Sequence, residues 1–155
     1  MTATVDYVIV EKLTDRHVEQ LCAMYQSERW SEGRKLEDVR EMVRHTDIVI
    51  AFCQPVNDDL IAFARVLTDY VYKALIFDVI VHASYRKRRL GEALMNTIVG
   101  HPLLESVRHF ELYCFPEMVS FYERWGFTDR LEGLRLMRAE RGSMKPVAPT
   151  NLPDR

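Results

Sequence analysis

Apolar positions along the chain switch between two spacings, every second residue and every third or fourth, and each switch marks a change of element. Tyr7 to Val10 is a short β-prone run. Thr14-Asp15 supplies a helix start, after which Val18, Leu21, Cys22 and Tyr25 fall on one helical face. A polar stretch, SERWSEGRK, leads to a second amphipathic helix with Leu36, Val39, Met42 and Val43 inward. Three strands are predicted next, Ile48 to Cys53, Leu60 to Leu67 and Ala74 to Val81, with breaks at PVNDD and near Thr68 to Lys73. The third, ALIFDVIV, is almost continuously apolar, as expected of a central strand covered on both faces. Leu90, Ala93, Leu94 and Ile98 then keep helical spacing up to Gly100-His101-Pro102. Phe110 to Cys114 reads as a strand. Pro116 suits the first turn of a helix whose Met118, Phe121, Tyr122 and Trp125 share a face, and Gly126 is placed to cap it. Phe127 and the stretch Leu134 to Met137 offer final strands. The proline-bearing end lacks an apolar pattern, so one domain over residues 1–140 and a flexible tail over 141–155 are expected.

The resulting order is β-α-α-β-β-β-α-β-α-β-β. Strands 2 to 4 have short connections and form an antiparallel meander, whereas the helix after strand 4 is a crossover that sets strand 5 parallel to it. The expected fold is therefore a mixed, mostly antiparallel α/β sheet with helices on both faces.

Composition narrows the functional classes. A chain of 155 residues with 48% hydrophobic and 28% charged residues is ordinary for one globular domain, which disfavours disorder. No apolar run reaches a membrane span and no basic-then-apolar leader opens the chain, so a cytoplasmic protein without a membrane partner is expected. A net charge of −2 argues against nucleic acid as the main partner. Cys22, Cys53 and Cys114 form no CxxC pair, and the five histidines show no HxH or HxxxH spacing, so no metal is expected.

One local departure matters more than these averages. After the central strand come His82-Ala83-Ser84-Tyr85, four consecutive cations Arg86-Lys87-Arg88-Arg89, then Leu90-Gly91-Glu92 opening a helix. Helix N-termini present unpaired amide N–H groups and partial positive charge, and the cations add to the attraction for a phosphate. A solvated basic turn is the alternative.

This segment resembles the acetyl-CoA-binding motif of the GNAT superfamily, Q/R-x-x-G-x-G/A, with Arg86 at the first position and Gly91 at the second glycine. Arg89 departs from the pattern where the first glycine is usual, so its side chain must turn outward while its amide stays available. Ala83 replaces a common proline. Phe121-Tyr122-Glu123-Arg124-Trp125-Gly126-Phe127 is similar to the family's F-Y-x-x-x-G-F signature, and the resemblance spans about residues 5 to 140.

The resemblance implies an N-acetyltransferase that moves an acetyl group from acetyl-CoA to a primary amine by direct attack in a ternary complex. Strands 4 and 5 would splay apart, with Val79, Ile80 and Val81 along the pantetheine arm. Arg86, Lys87, Arg88, Arg89, Leu90, Gly91 and Glu92 would form the pyrophosphate turn. Tyr122 matches the tyrosine that donates a proton to the departing thiolate; a core aromatic on an amphipathic helix is the alternative. Many relatives place a Glu or His base on strand 4 with the parity of Val79 and Val81, but those positions here hold Leu75 and Phe77. Asp78 is that strand's only acid and faces the other way unless a bulge intervenes. It is read either as the base or as the partner of Arg65 in an ion pair, since an unpaired buried charge is costly. Asp69, Tyr70 and Tyr72 near the 3–4 turn are further candidates.

The substrate side is expected from Glu28, Arg29, Trp30, Ser31 and Arg34 between the first two helices, with Arg65 and Asp69 added from strand 3 and its turn. Cys114 has no activating histidine nearby in sequence, which disfavours a covalent route. The resemblance implies a small-molecule amine or a peptide or protein amine as acceptor, and edge strands together with the family habit point to a homodimer. A catalytically degenerate member that senses CoA or a metabolite is the alternative function.

Overall fold

The computed structural model describes residues 5–148 and divides into two compact units on either side of the Glu117–Met118 bond. The first unit holds β1 (Val8–Val10), α1 (Asp15–Gln26), α2 (Leu36–Arg44), β2 (Ile48–Cys53), β3 (Leu60–Thr68), β4 (Lys73–Val81), α3 (Leu90–Val99) and β5 (His109–Leu112). The second holds α4 (Val119–Glu123). The tail expected over 141–155 starts with a 3₁₀ turn at Arg141–Ser143, and residues 149–155 lie outside the described part.

Local sequence explains the entry into α1. Thr14 accepts the His17 amide through its hydroxyl at 3.2 Å, and His17 Nδ1 accepts the Thr14 amide at 3.2 Å, a reciprocal cap in which histidine stands where Glu or Gln is usual.

The strands lie in sequence order, β1-β2-β3-β4-β5, antiparallel up to β4 and parallel between β4 and β5. One face carries Val49, Ala51, Cys53, Leu60, Phe63 and Ile80, which pack with Val18, Leu21, Met24 and Tyr25 of α1 and Val39 of α2. The alternate positions, among them Ile50, Ala62, Ala64 and Ile76, are also buried, and α3, whose Leu90, Leu94, Met95 and Ile98 are buried, contacts these strands. Burial on both faces explains why β2 and β4 read as apolar runs.

Two departures from a regular ladder shape the site. Arg65 pairs with Phe77 but Phe63 pairs with Ile80, so Ala64 stands opposite both Asp78 and Val79. β4 therefore bulges there, with Asp78 in the left-handed region at φ 55°. The bulge reverses side-chain parity along β4. Phe77 and Ile80 share a face, whereas the sequence reading placed Leu75 and Phe77 on the face of Val79 and Val81. The second departure is that β4–β5 pairing covers only Lys73↔His109 to Ile76↔Leu112. Phe77 to Val81 continue without β5, so the two strands part.

The final strands expected at Phe127 and over 134–137 do not form among the described residues, where the sheet has five strands. Glu132 and Gly133 take positive φ, Leu134 N–H closes a turn onto the Leu131 carbonyl, and Leu134, Leu136 and Met137 are exposed. Alternation alone does not make a strand, because a ladder needs a partner for its backbone groups.

Candidate active site

The turn after β4 is built from backbone geometry as much as from charge. A 3₁₀ turn at Ala83–Tyr85 is held by His82 Nδ1, which accepts the Ser84 amide at 3.2 Å. Lys87 and Arg89 then adopt φ 62°, a left-handed conformation that glycine enters freely and other residues do not. Arg89 is the N-cap of α3 and makes no side-chain cap bond. Its guanidinium is exposed and pairs with Glu92 at 2.6 Å, which raises its pKa. The first amides of α3 thus receive no cap from Arg89 and lie beside four exposed cations, an arrangement suited to an anion. Arg86 reaches back instead, donating from Nε to the Val81 carbonyl at 3.3 Å and pairing with Glu28 at the end of α1. A cleft of about 490 Å³ adjoins this turn, lined by Gln20 and Met24 of α1, its C-cap Ser27, and Val81, His82 and Tyr85.

Further along the sheet, Asp78 gathers donors from three elements. It accepts from Tyr25 Oη at 2.8 Å, Arg34 Nη1 at 3.0 Å and Arg65 Nε at 2.7 Å, and its side chain is only 5% exposed. Burial opposes ionisation of Asp78, but hydrogen bonds and charge from Arg34 and Arg65 outweigh it and hold the carboxyl below its ordinary range. Burial, and then the charge of Asp78, push the Tyr25 hydroxyl well up. Arg34 also lies over the rings of Tyr25 and Trp30, and Arg65 lies over Phe77. The bulge supplies this geometry, since it brings Asp78 to the face of Arg65.

The other expected residues divide. Trp30 packs edge-on against Tyr25 and is partly exposed, so it joins the Asp78 cluster. Glu28 joins the turn. The side chain of Ile80 is buried in the core beneath α1 and α2, and Val79 and Val81 are half-buried. Asp69 sits at the β3–β4 turn, the opposite end of β4 from Arg86. It caps that turn by accepting the amides of Val71, Tyr72 and Lys73, which lower its pKa. Tyr122 belongs to the second unit, where it is buried and packs against Phe121 and Phe127.

Tyr25 and Arg34 were missed as partners of Asp78. Tyr25 left a clue, because a buried tyrosine hydroxyl needs a hydrogen-bond partner. A second convergence left none: ligand atoms of His17, Cys53 and Asp58 lie within 4.8 Å of one another. His17 Nδ1 accepts the Thr14 amide, so in the neutral ring the proton sits on Nε2, which donates to the Asp58 carbonyl at 3.0 Å. Burial also pushes the Cys53 thiol up to about 11, unfavourable for a thiolate ligand. These groups tie α1 to the β2–β3 turn.

β4 runs on past the end of β5 and leads through a cationic turn into α3. The chain matches the acetyltransferase (GNAT) family over residues 14–127 and belongs to that family. It is 30% identical over 123 residues to the uncharacterized N-acetyltransferase ycf52 of Porphyra purpurea, covering 77% of this chain and 68% of that protein. Over 82 residues it is 34% identical to a protein of Oryza sativa subsp. japonica named serotonin N-acetyltransferase 2, chloroplastic, covering 51% of this chain and 41% of that one. A solved structure from Xanthomonas campestris pv. campestris, assigned to the GNAT family, is similar with a TM-score of 0.76 at 25% identity, covering 88% and 96% of the two chains. Among the described residues no helix is long and apolar enough to cross a membrane.

Proposed function

We propose that this chain is an N-acetyltransferase that moves the acetyl group of acetyl-CoA to a primary amine in a ternary complex. The observation that carries the reading is that β4 runs beyond its last pair with β5 and leads to a cationic start of α3 where Arg89 makes no side-chain cap bond. That donor set fits a diphosphate-bearing ligand: amides of Lys87 through Glu92 would hold the pyrophosphate, and the backbone of Val79, Ile80 and Val81 would hold the pantetheine arm. When bound, acetyl-CoA supplies an acyl group already activated as a thioester.

The chain's own residues then have three tasks: to orient the acceptor, to receive charge and to move protons. Trp30 and Arg34 from the α1–α2 loop and Arg65 and Phe77 from the sheet form the acceptor wall. Tyr122 Oη, which matches the family's tyrosine, is the proton donor. Asp78 is a poor base, because a carboxylate held ionised by two guanidiniums has little affinity for a proton. We read it as the positioning residue that fixes Arg34 and Arg65, and the acceptor reaches the site as the free amine or loses its proton to water. Cys22 and the buried Cys53 carry no disulfide, which supports a reducing compartment such as the cytoplasm.

Mass spectrometry of amines incubated with acetyl-CoA and the protein tests the proposal, and an N-acetylated product is expected. That Asp78, next to Phe77, is engaged by Arg34 and Arg65 favours one second reading, a CoA-binding sensor; binding of CoA with no acetylated product from any amine would establish it.

A further inference from the structure

Two guanidinium groups share one carboxylate at the point where β4 leaves β5. Arg65 donates Nε to Asp78 Oδ2 at 2.7 Å, and Arg34 donates Nη1 and Nη2 to its two oxygens at 3.0 and 3.4 Å. Two positive charges against one negative leave the cluster with an excess of one positive charge. Among the described residues of the first unit no other acid pairs with Arg34 or Arg65: Glu28 is held by Arg86, and Glu117 pairs with Arg29. Tyr25 Oη uses further acceptor capacity of the same carboxylate. Among the described residues the terminal nitrogens of Arg65 donate to no acceptor, and neither is sealed from solvent.

These donors border the gap. Arg65 lies 4.7 Å over the ring of Phe77, the first β4 residue beyond the last β5 pair, and Phe77 meets Tyr113 edge-on at 5.8 Å just past the end of β5. Arg34, from the α1–α2 loop, lies 5.4 Å over the ring of Trp30. The mouth of the splay is therefore walled by aromatic rings and carries a net positive charge.

We propose that the acceptor amine also carries an anionic group, a carboxylate or a phosphate, and that Arg65 and Arg34 recognise it. This deepens the N-acetyltransferase reading and rests on it. A planar guanidinium offers paired N–H groups matched to either anion. The same excess charge repels a second ammonium, which disfavours polyamines, and it favours the neutral form of the reacting amine. Asp78 fixes both arginines without consuming all their donors.

Matched pairs of amines, differing only in the anion, test the proposal on the wild-type chain: tryptophan with tryptamine, lysine with cadaverine, glucosamine 6-phosphate with glucosamine. Two quantities are read: kcat/KM from free-thiol release, and the shift in melting temperature without acetyl-CoA. The anionic member of at least one pair is expected to be favoured about 10- to 100-fold in kcat/KM, the range of a charge-assisted hydrogen bond. It alone raises the melting temperature. The amino-acid and sugar-phosphate arms distinguish carboxylate from phosphate. Arg34→Gln, which leaves Arg65 and Tyr25 on Asp78, should move the ratio toward one; the wild-type panel decides even where this variant does not fold. Equal or better turnover of the anion-free member in every pair overturns the proposal. Thermal stabilisation by anionic amines with no turnover of any amine would sink the transferase reading and leave the anion site standing. Neither effect would remove both.

Discussion

Replacing Asp78 with asparagine isolates what its charge contributes. Asparagine is nearly isosteric and enters the left-handed region readily, so the bulge at φ 55° is kept and only the charge is lost. Arg65, 12% exposed, and Arg34, 31% exposed, would then face each other without a counter-ion. Removing one partner of a buried ion pair costs about 3–5 kcal/mol, and the partial exposure of Arg34 places the expected loss near the lower end, about 3 kcal/mol. Urea unfolding should show this as a lower midpoint at unchanged slope. A double-mutant cycle with Arg65→Met should recover part of the loss, because the second change removes one of the stranded charges. The acid dependence carries a definite sign. Unfolded Asp titrates near about 3.9, and in the folded chain Asp78 titrates lower, so its contribution is complete above that pH and is lost as pH falls through the folded value. The gap between wild type and Asp78→Asn should therefore narrow below about pH 4. A variant within about 0.5 kcal/mol of wild type at pH 7 refutes the structural reasoning. If that stable variant is also inactive and its pH–rate profile loses the acidic limb, Asp78 is the base after all.

Three further perturbations bear on separate links. CoA at a hundredfold excess over Kd should stabilise the fold by about 2.7 kcal/mol, and Gly91→Val should abolish the shift while the circular dichroism spectrum stays native; no shift for wild type near millimolar ligand removes the cofactor assignment. Tyr122→Phe keeps the ring and loses the hydroxyl, so the turnover rate should fall roughly 10²-fold with CoA affinity unchanged, whereas an unaltered rate leaves Tyr122 to its aromatic cluster. Tyr25→Phe removes a donor to a buried carboxylate and should cost about 2 kcal/mol in urea unfolding, and a cost near zero would show that the hydroxyl contributes nothing.

Periodicity made the elements of the first unit legible. Ile48 to Cys53 is β2 to the residue, and Thr14 starts α1 as its side chain predicts. Strand parity near the site was not legible, because it depends on a one-residue slip between β3 and β4 that no local pattern encodes. The same limit hid the partners of Asp78: Tyr25 and Arg34 stand 53 and 44 positions away in sequence and meet it only through the packing of α1 on the sheet. The stretch from Leu134 to Met137 misled in the opposite sense, since its alternation mimics a strand while no described segment pairs with it. At the turn, Arg89 in place of glycine raised the question of its backbone and side chain, and the structure places it left-handed with the guanidinium in solvent.

Free-thiol release from acetyl-CoA, followed with the wild-type chain and Gly91→Val side by side across a panel of amines, tests the central claim most directly. Amine-dependent release by wild type, absent without amine and lost in Gly91→Val, is the predicted result. A folded wild-type chain that binds CoA yet releases no thiol with any amine would contradict it.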